Sequence, residues 1–124
     1  MIKVMIVDDL ARVRLGLRTL LELTSDLRVV GEATDGFEAV RIVEKLQPDI
    51  VLMDLEMPGI DGFMTTRLIK GRHPNTGIIA LSIHSSNGIR QQAERAGVDA
   101  FVEKGDGFDT LFSIIRQVYA ALSA

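Results

Sequence analysis

The sequence predicts an α/β fold, a doubly wound five-stranded parallel sheet with helices on both faces. Strand-like and helix-like segments alternate five times along 124 residues, the pattern of a parallel sheet wrapped on each side. The middle runs, Ile50-Val51-Leu52-Met53 and Ile78-Ile79-Ala80-Leu81, are apolar without alternation, as strands buried on both faces must be. Each run stops at a residue able to do chemistry, Asp54 and Ser82.

The elements follow in order. Residues 2–7 form the first strand, closed by Asp8-Asp9. A helix from Leu10 to Leu23 sets Leu10, Val13, Leu17, Leu20 and Leu21 on one face. Thr24-Ser25-Asp26 breaks it, and Leu27 to Ala33 is the second strand. Asp35 caps a helix that turns Ala39, Val40, Val43 and Leu46 inward, and Pro48 ends it. The third strand runs from about Asp49 to Met53, just before Asp54. Pro58-Gly59 marks a loop, and a shorter helix from Asp61 to Gly71 begins at a capping Asp61. Residues 78–82 form the fourth strand. Ser86 to Ala96 is a helix facing Ile89, Ala93 and Ala96 inward and stopped by Gly97. Residues 100–102 are the fifth strand, and the last helix, about Gly107 to Leu122, carries Phe108, Leu111, Ile115, Val118 and Leu122 at core spacing. Right-handed crossovers and the flavodoxin-like order 2-1-3-4-5 are expected. Strands one and three then flank the switch point where such sheets hold their sites.

Composition narrows the function classes. Apolar residues make up 47% of the chain, enough for one domain with a real core. The absence of cysteine excludes disulfides, thiolate catalysis and thiolate-bound zinc, and fits a cytoplasmic protein. No apolar run reaches membrane-spanning length, so no membrane partner is expected, and the first strand begins without a leader pattern. The formal charge is −3 and the basic residues are scattered, so this chain itself is not expected to bind nucleic acid.

The carboxyl rim of the predicted sheet gathers Asp8, Asp9, Asp54, Ser82 and Lys104 from four strand ends. Acids so convergent repel one another unless a cation joins them. Taken alone, each has a plainer explanation. Asp8 can cap a helix, Asp61 more readily caps its helix than touches a metal, and Lys104 can be a solvated charge. Together they point to chemistry.

The motifs Val7-Asp8-Asp9, Asp54-x-x-Met57-Pro58-Gly59-x-Asp61-Gly62, Ser82 and Phe101-x-x-Lys104 resemble the receiver domain of bacterial two-component response regulators, and the resemblance spans residues 1–124. Val29-Val30-Gly31-Glu32-Ala33 and Leu81-Ser82-Ile83-His84 resemble the branch that usually carries a C-terminal LuxR-type helix-turn-helix. No such effector domain is expected within these residues.

The resemblance implies that Asp54 accepts a phosphoryl group from a sensor histidine kinase with Mg²⁺. Asp9 and Asp54 would ligate the ion with the Glu56 backbone carbonyl, and Asp8 would act through water. Lys104 and Ser82 would contact the phosphoryl oxygens. This fits the physics of phosphoryl transfer, where positioning and charge neutralisation do most of the catalysis. The implied protein is a phosphorylation-gated module rather than an enzyme, acting on itself alone and controlling an output, transcription, through another domain.

The resemblance further implies a switch in which Ser82 moves toward the phosphoryl group and Phe101 turns inward; the alternative is a core aromatic held in one rotamer. Glu56 and His84 would line the mouth and tune signal lifetime, or be simply exposed polar side chains. Phe112 and Tyr119 lie off the last helix's core stripe, which suits a partner surface, either for a homodimer through the helix 4–strand 5–helix 5 face or for an adjoining effector domain, or else a wide buried face. Serine stands at 82 where threonine is common, phenylalanine at 101 where tyrosine is frequent, and Gly105 where many receivers have proline. These departures remove a methyl group, a polar latch on residue 101 and a cis peptide after Lys104.

Rival functions fit less well. An aspartate-nucleophile phosphatase wants its Asp-x-Asp after the first strand, and Glu56 stands at the second acid's place here. A flavin module wants phosphate-cradling loops where this chain sets acids. A vestigial adaptor would lack the complete acid, hydroxyl and lysine set.

Overall fold

The computed structural model describes residues 1–57, 61–83 and 86–123. Five strands form one sheet in the order β2-β1-β3-β4-β5, and every pairing is parallel. The chain runs β1 (Ile2–Val7), α1 (Ala11–Leu21), β2 (Leu27–Ala33), α2 (Gly36–Leu46), β3 (Ile50–Asp54), α3 (Gly62–Arg72), β4 (Gly77–Ser82), α4 (Asn87–Ala96), β5 (Ala100–Glu103) and α5 (Phe108–Ser123). The predicted fold class and strand order are both observed.

Strand alternation divides the core in two. Val4, Ile6, Ile50, Leu52, Ile79 and Leu81 point to the face covered by α1 and α5. Met5, Val7, Val51, Met53, Ile78 and Ala80 point to the face covered by α2, α3 and α4. All are buried, and each large one contributes about 1.5–3 kcal/mol by leaving water. Nearly all of β3 and β4 lies between these layers, which explains their unbroken apolar sequence.

The helix starts follow capping chemistry. Asp35 Oδ1 accepts the Glu38 N–H at 2.8 Å, Asp61 Oδ1 accepts the Met64 N–H at 2.8 Å, and Ser86 Oγ accepts the Ile89 N–H at 3.2 Å. Asp61 is therefore a helix cap, as its position predicts. Gly97 ends α4 at φ 108°, a left-handed conformation that glycine adopts without strain.

The first helix departs from expectation. It spans Ala11–Leu21, with Leu10 at its N-cap. Of the expected stripe only Leu21 is buried; Val13, Leu17 and Leu20 are half-buried and Leu10 is exposed. The reason is packing. Between α1 and α5 lies an open cleft of about 430 Å³, lined by Val13, Leu17, Phe108 and Leu111 among others. Phe108, expected in the core, is exposed beside it, and Leu46 of α2 is likewise exposed at its helix end. Phe112, whose ring centroid lies 6.5 Å from that of Phe108, and Tyr119 pack half-buried against the core. The last helix thus buries a wide face.

Candidate functional site

Parallel strands bring their carboxyl ends to one rim, and the order β2-β1-β3-β4-β5 sets β3 between β1 and β4. Asp54 is the last residue of β3, Ser82 the last of β4, Asp8 and Asp9 follow β1, and Lys104 follows β5. Carboxylate oxygens of Asp8, Asp9 and Asp54 all lie within 4.8 Å of one another. Lys104 Nζ donates to Asp8 Oδ2 at 3.3 Å and lies 3.7 Å from Asp54 Oδ1. Four strand ends therefore converge as the sequence predicts, and Gly105 does not keep Lys104 from the pocket.

Backbone bonds hold the rim in register. The Lys104 N–H donates to the Ser82 carbonyl at 2.9 Å and the Leu55 N–H to the Leu81 carbonyl at 3.3 Å. Asp54 Oδ1 accepts the Glu56 N–H at 3.0 Å, and Asp8 Oδ1 accepts the Leu10 N–H at 3.0 Å. That second bond turns the chain into α1, so Asp8 serves helix entry as well as the pocket. Behind Asp54 there is no spare room. A Cβ on Gly62 would lie 2.6 Å from the Asp54 carbonyl oxygen, so only glycine lets α3 start this close.

The electrostatics are costly. Asp54 and Asp8 are only 3% and 1% exposed. Burial pushes the Asp54 carboxyl up to about 6; the Glu56 N–H and Lys104 oppose this, while the charges of Asp8 and Asp9 add to it. One lysine against three clustered acids leaves net negative charge. A hard divalent cation with oxygen preference suits this donor set, and Asp9, the exposed member, opens it to solvent. The residues present fit such an ion.

The Ser82 side chain is fully buried, and its Oγ donates to Glu56 Oε1 at 3.0 Å. Glu56, expected to tune lifetime beside His84, engages the Ser82 hydroxyl with its carboxylate. His84 lies outside the described residues, as do Pro58 and Gly59. Phe101 is half-buried on β5, and the Arg90 guanidinium stacks over its ring at 4.5 Å from the centroid. The ring has no hydroxyl with which to form a polar latch. Arg90 comes from α4 and supplies a cationic contact instead. Arg14 was also missed. Its Nη1 donates to the Asp8 backbone carbonyl at 2.8 Å. The available signal was a pair of arginines, Arg14 and Arg18, one helical turn apart and facing a lone Glu32 on the neighbouring strand.

The comparisons with known proteins agree with this geometry. Residues 4–116 match the family model of the response regulator receiver domain. The chain belongs to that family. Over 120 residues this receiver domain is 37% identical to the response regulator GacA of Pseudomonas syringae pv. syringae, covering 97% of this chain and 56% of GacA. It is 39% identical to the response regulator UvrY of Escherichia coli, covering 97% of this chain and 55% of UvrY. The receiver domain thus spans a little over half the length of these curated relatives. A crystal structure of a LuxR-family two-component response regulator from Aurantimonas sp. superposes with a TM-score of 0.92 at 34% identity, covering 96% of this chain and 85% of that one. The response regulator domain of Thermotoga maritima CheB superposes at 0.89 and 34% identity, covering 97% of each. These neighbours share the flavodoxin-like receiver fold, and both the relatives and the LuxR-family structure agree with the branch expected from the sequence. No helix among the described residues is long and apolar enough to cross a membrane.

Proposed function

We propose that this receiver domain accepts a phosphoryl group on Asp54 and uses it to control an output surface. The observation that carries the reading is the meeting of Asp8, Asp9 and Asp54 within 4.8 Å, with the Lys104 ammonium 3.7 Å from Asp54. An Asp54 oxygen attacks phosphorus; a P–O bond forms as the P–N bond of a phosphohistidine breaks, and the imidazole leaves on the kinase. Asp9 and Asp54, with the Glu56 carbonyl, would hold Mg²⁺, and Asp8 would reach it through water. When bound, Mg²⁺ neutralises charge that builds on the transferred oxygens. Lys104 contributes a mobile positive charge to the same oxygens. The buried walls of the pocket keep these charges strong. Beyond its own phosphorylation and hydrolysis the domain transforms nothing.

In this reading the receiver is cytoplasmic and its phosphodonor is a sensor histidine kinase. The output is transcription, through a domain outside this chain. The α4–β5–α5 face, where Arg90 covers Phe101, is the output surface and the face a second copy would meet. Acetyl phosphate tests the acceptor directly. With Mg²⁺ the chain becomes labelled and with EDTA or as Asp54→Asn it does not. Labelling that persists in Asp54→Asn removes Asp54 from its role.

A further inference from the structure

The Asp8 backbone is pinned to β2 on both sides. Its N–H donates to the Ala33 carbonyl at 3.1 Å. Its carbonyl accepts Arg14 Nη1 at 2.8 Å, and Arg14 Nε donates to Glu32 Oε1 at 3.1 Å. The other Glu32 oxygen accepts Arg18 Nε at 2.8 Å. The Arg14 side chain is only 15% exposed, so its planar fork is held in one geometry.

That carbonyl belongs to the peptide plane joining Asp8 to Asp9. Turning the plane swings Asp9, whose carboxylate is exposed and has no hydrogen-bond partner among the described residues. The Asp8 Oδ1–Leu10 N–H bond at 3.0 Å holds the far side of Asp9, and the Arg14 contact holds the near side, the peptide that leads into it. We propose that Arg14, braced by Glu32, is a positioning residue that fixes the Asp8–Asp9 peptide and thereby sets the cation affinity of the acid cluster. This rests on reading that cluster as a cation site.

A plain electrostatic role makes the opposite prediction. The ion-pair partner of Arg14 is Glu32, not one of the clustered acids, yet its charge lies near them. If charge alone mattered, removing it would tighten cation binding. If positioning matters, removing it weakens binding, because groups that orient metal ligands are worth about 10–100-fold in affinity.

The test is Mn²⁺ titration of the whole chain by electron paramagnetic resonance, with amide NMR as a second readout. Arg14→Met weakens Mn²⁺ binding about tenfold and shifts the Asp8 and Asp9 amides. Adding Glu32→Gln to it costs nothing further, since the two residues act as one brace. Arg12→Met, which removes a neighbouring charge without the brace, leaves affinity unchanged or slightly higher. Arg14 variants that bind Mn²⁺ as tightly as the native chain, or more tightly, overturn the proposal. Should Arg14→Met fail to fold, Arg14→Lys decides. It keeps the charge and loses the fork, so weaker binding supports positioning and native affinity refutes it. A native chain with no saturable Mn²⁺ binding overturns the cation reading itself and the brace with it.

Discussion

The Ser82 hydroxyl, at the end of β4, donates to the Glu56 carboxylate in the loop after β3, 3.0 Å away. This bond ties Ser82 to the segment that follows Asp54. A phosphoryl group on Asp54 adds about −1.5 to −2 charges and strong acceptor oxygens. Glu56 then competes with the phosphoryl group for one proton donor, and its charge opposes the newcomer.

Glu56→Ala accordingly favours the phosphorylated state. A single hydrogen bond is worth about 1 kcal/mol net, so beryllofluoride, a phosphoryl mimic, should bind about fivefold tighter to the variant. NMR titration reads this directly. Equal affinities would mean that the Ser82–Glu56 bond does not restrain the switch.

Arg90 over Phe101 makes a second restraint. A partly exposed cation–π contact contributes about 0.5–1 kcal/mol, which corresponds to a two- to fivefold change in rotamer population. Arg90→Ala should shift the Phe101 ring resonances of the unphosphorylated chain toward their beryllofluoride-bound positions. Ring signals identical to native would leave Phe101 a core aromatic.

The acceptor site costs the fold stability in the absence of a cation. The Asp54 carboxyl sits at about 6, raised from 3.8 chiefly by burial. Between those values the native state holds a proton that the unfolded chain has lost. Stability is therefore greatest below the unfolded value and falls as pH rises through about 6. In EDTA the Tm should drop between pH 5 and pH 7.5, less so for Asp54→Asn, and Mg²⁺ should restore it most at the higher pH. Thermal melts in which the native chain and Asp54→Asn lose stability in parallel over this range would refute the linkage.

Gly62 sets how closely α3 approaches the acceptor. An added Cβ would meet the Asp54 carbonyl at 2.6 Å and the Leu55 Cα at 2.7 Å, and backbone cannot step aside cheaply. Gly62→Ala should cost about 1–3 kcal/mol and slow labelling by acetyl phosphate. Gly71, in the same helix, has nothing within 4 Å of such a Cβ. Gly71→Ala should be neutral or stabilise by about 0.5–1 kcal/mol. Denaturant melts compare the two, and equal effects would contradict the close-approach argument.

Much of this molecule was legible in its sequence because the informative signals were local. Apolar runs such as Ile78–Leu81 need no partner to be read as strands, and the strand order then sends Asp9, Asp54, Ser82 and Lys104 to one rim. Caps were legible for the same reason, as Asp35 and Asp61 bond amides three residues away. What escaped depends on distance. Arg14 meets Glu32 across 18 positions and Arg90 meets Phe101 from another element. The α1 stripe shares one face as expected but is mostly half-buried, because periodicity reports which residues share a face, not whether another helix closes over it. Phe108 shows the same limit. It has core spacing, yet it borders the α1–α5 cleft.

The central claim is that Asp54 carries the phosphoryl group. Treating the phosphorylated chain with borohydride converts an acyl phosphate to the corresponding alcohol, and peptide mass spectrometry locates the change. The account predicts homoserine at position 54 and at no other acid, dependent on Mg²⁺. Homoserine at position 8 or 9, or a phosphoryl group borne on another residue with position 54 unaltered, would contradict it.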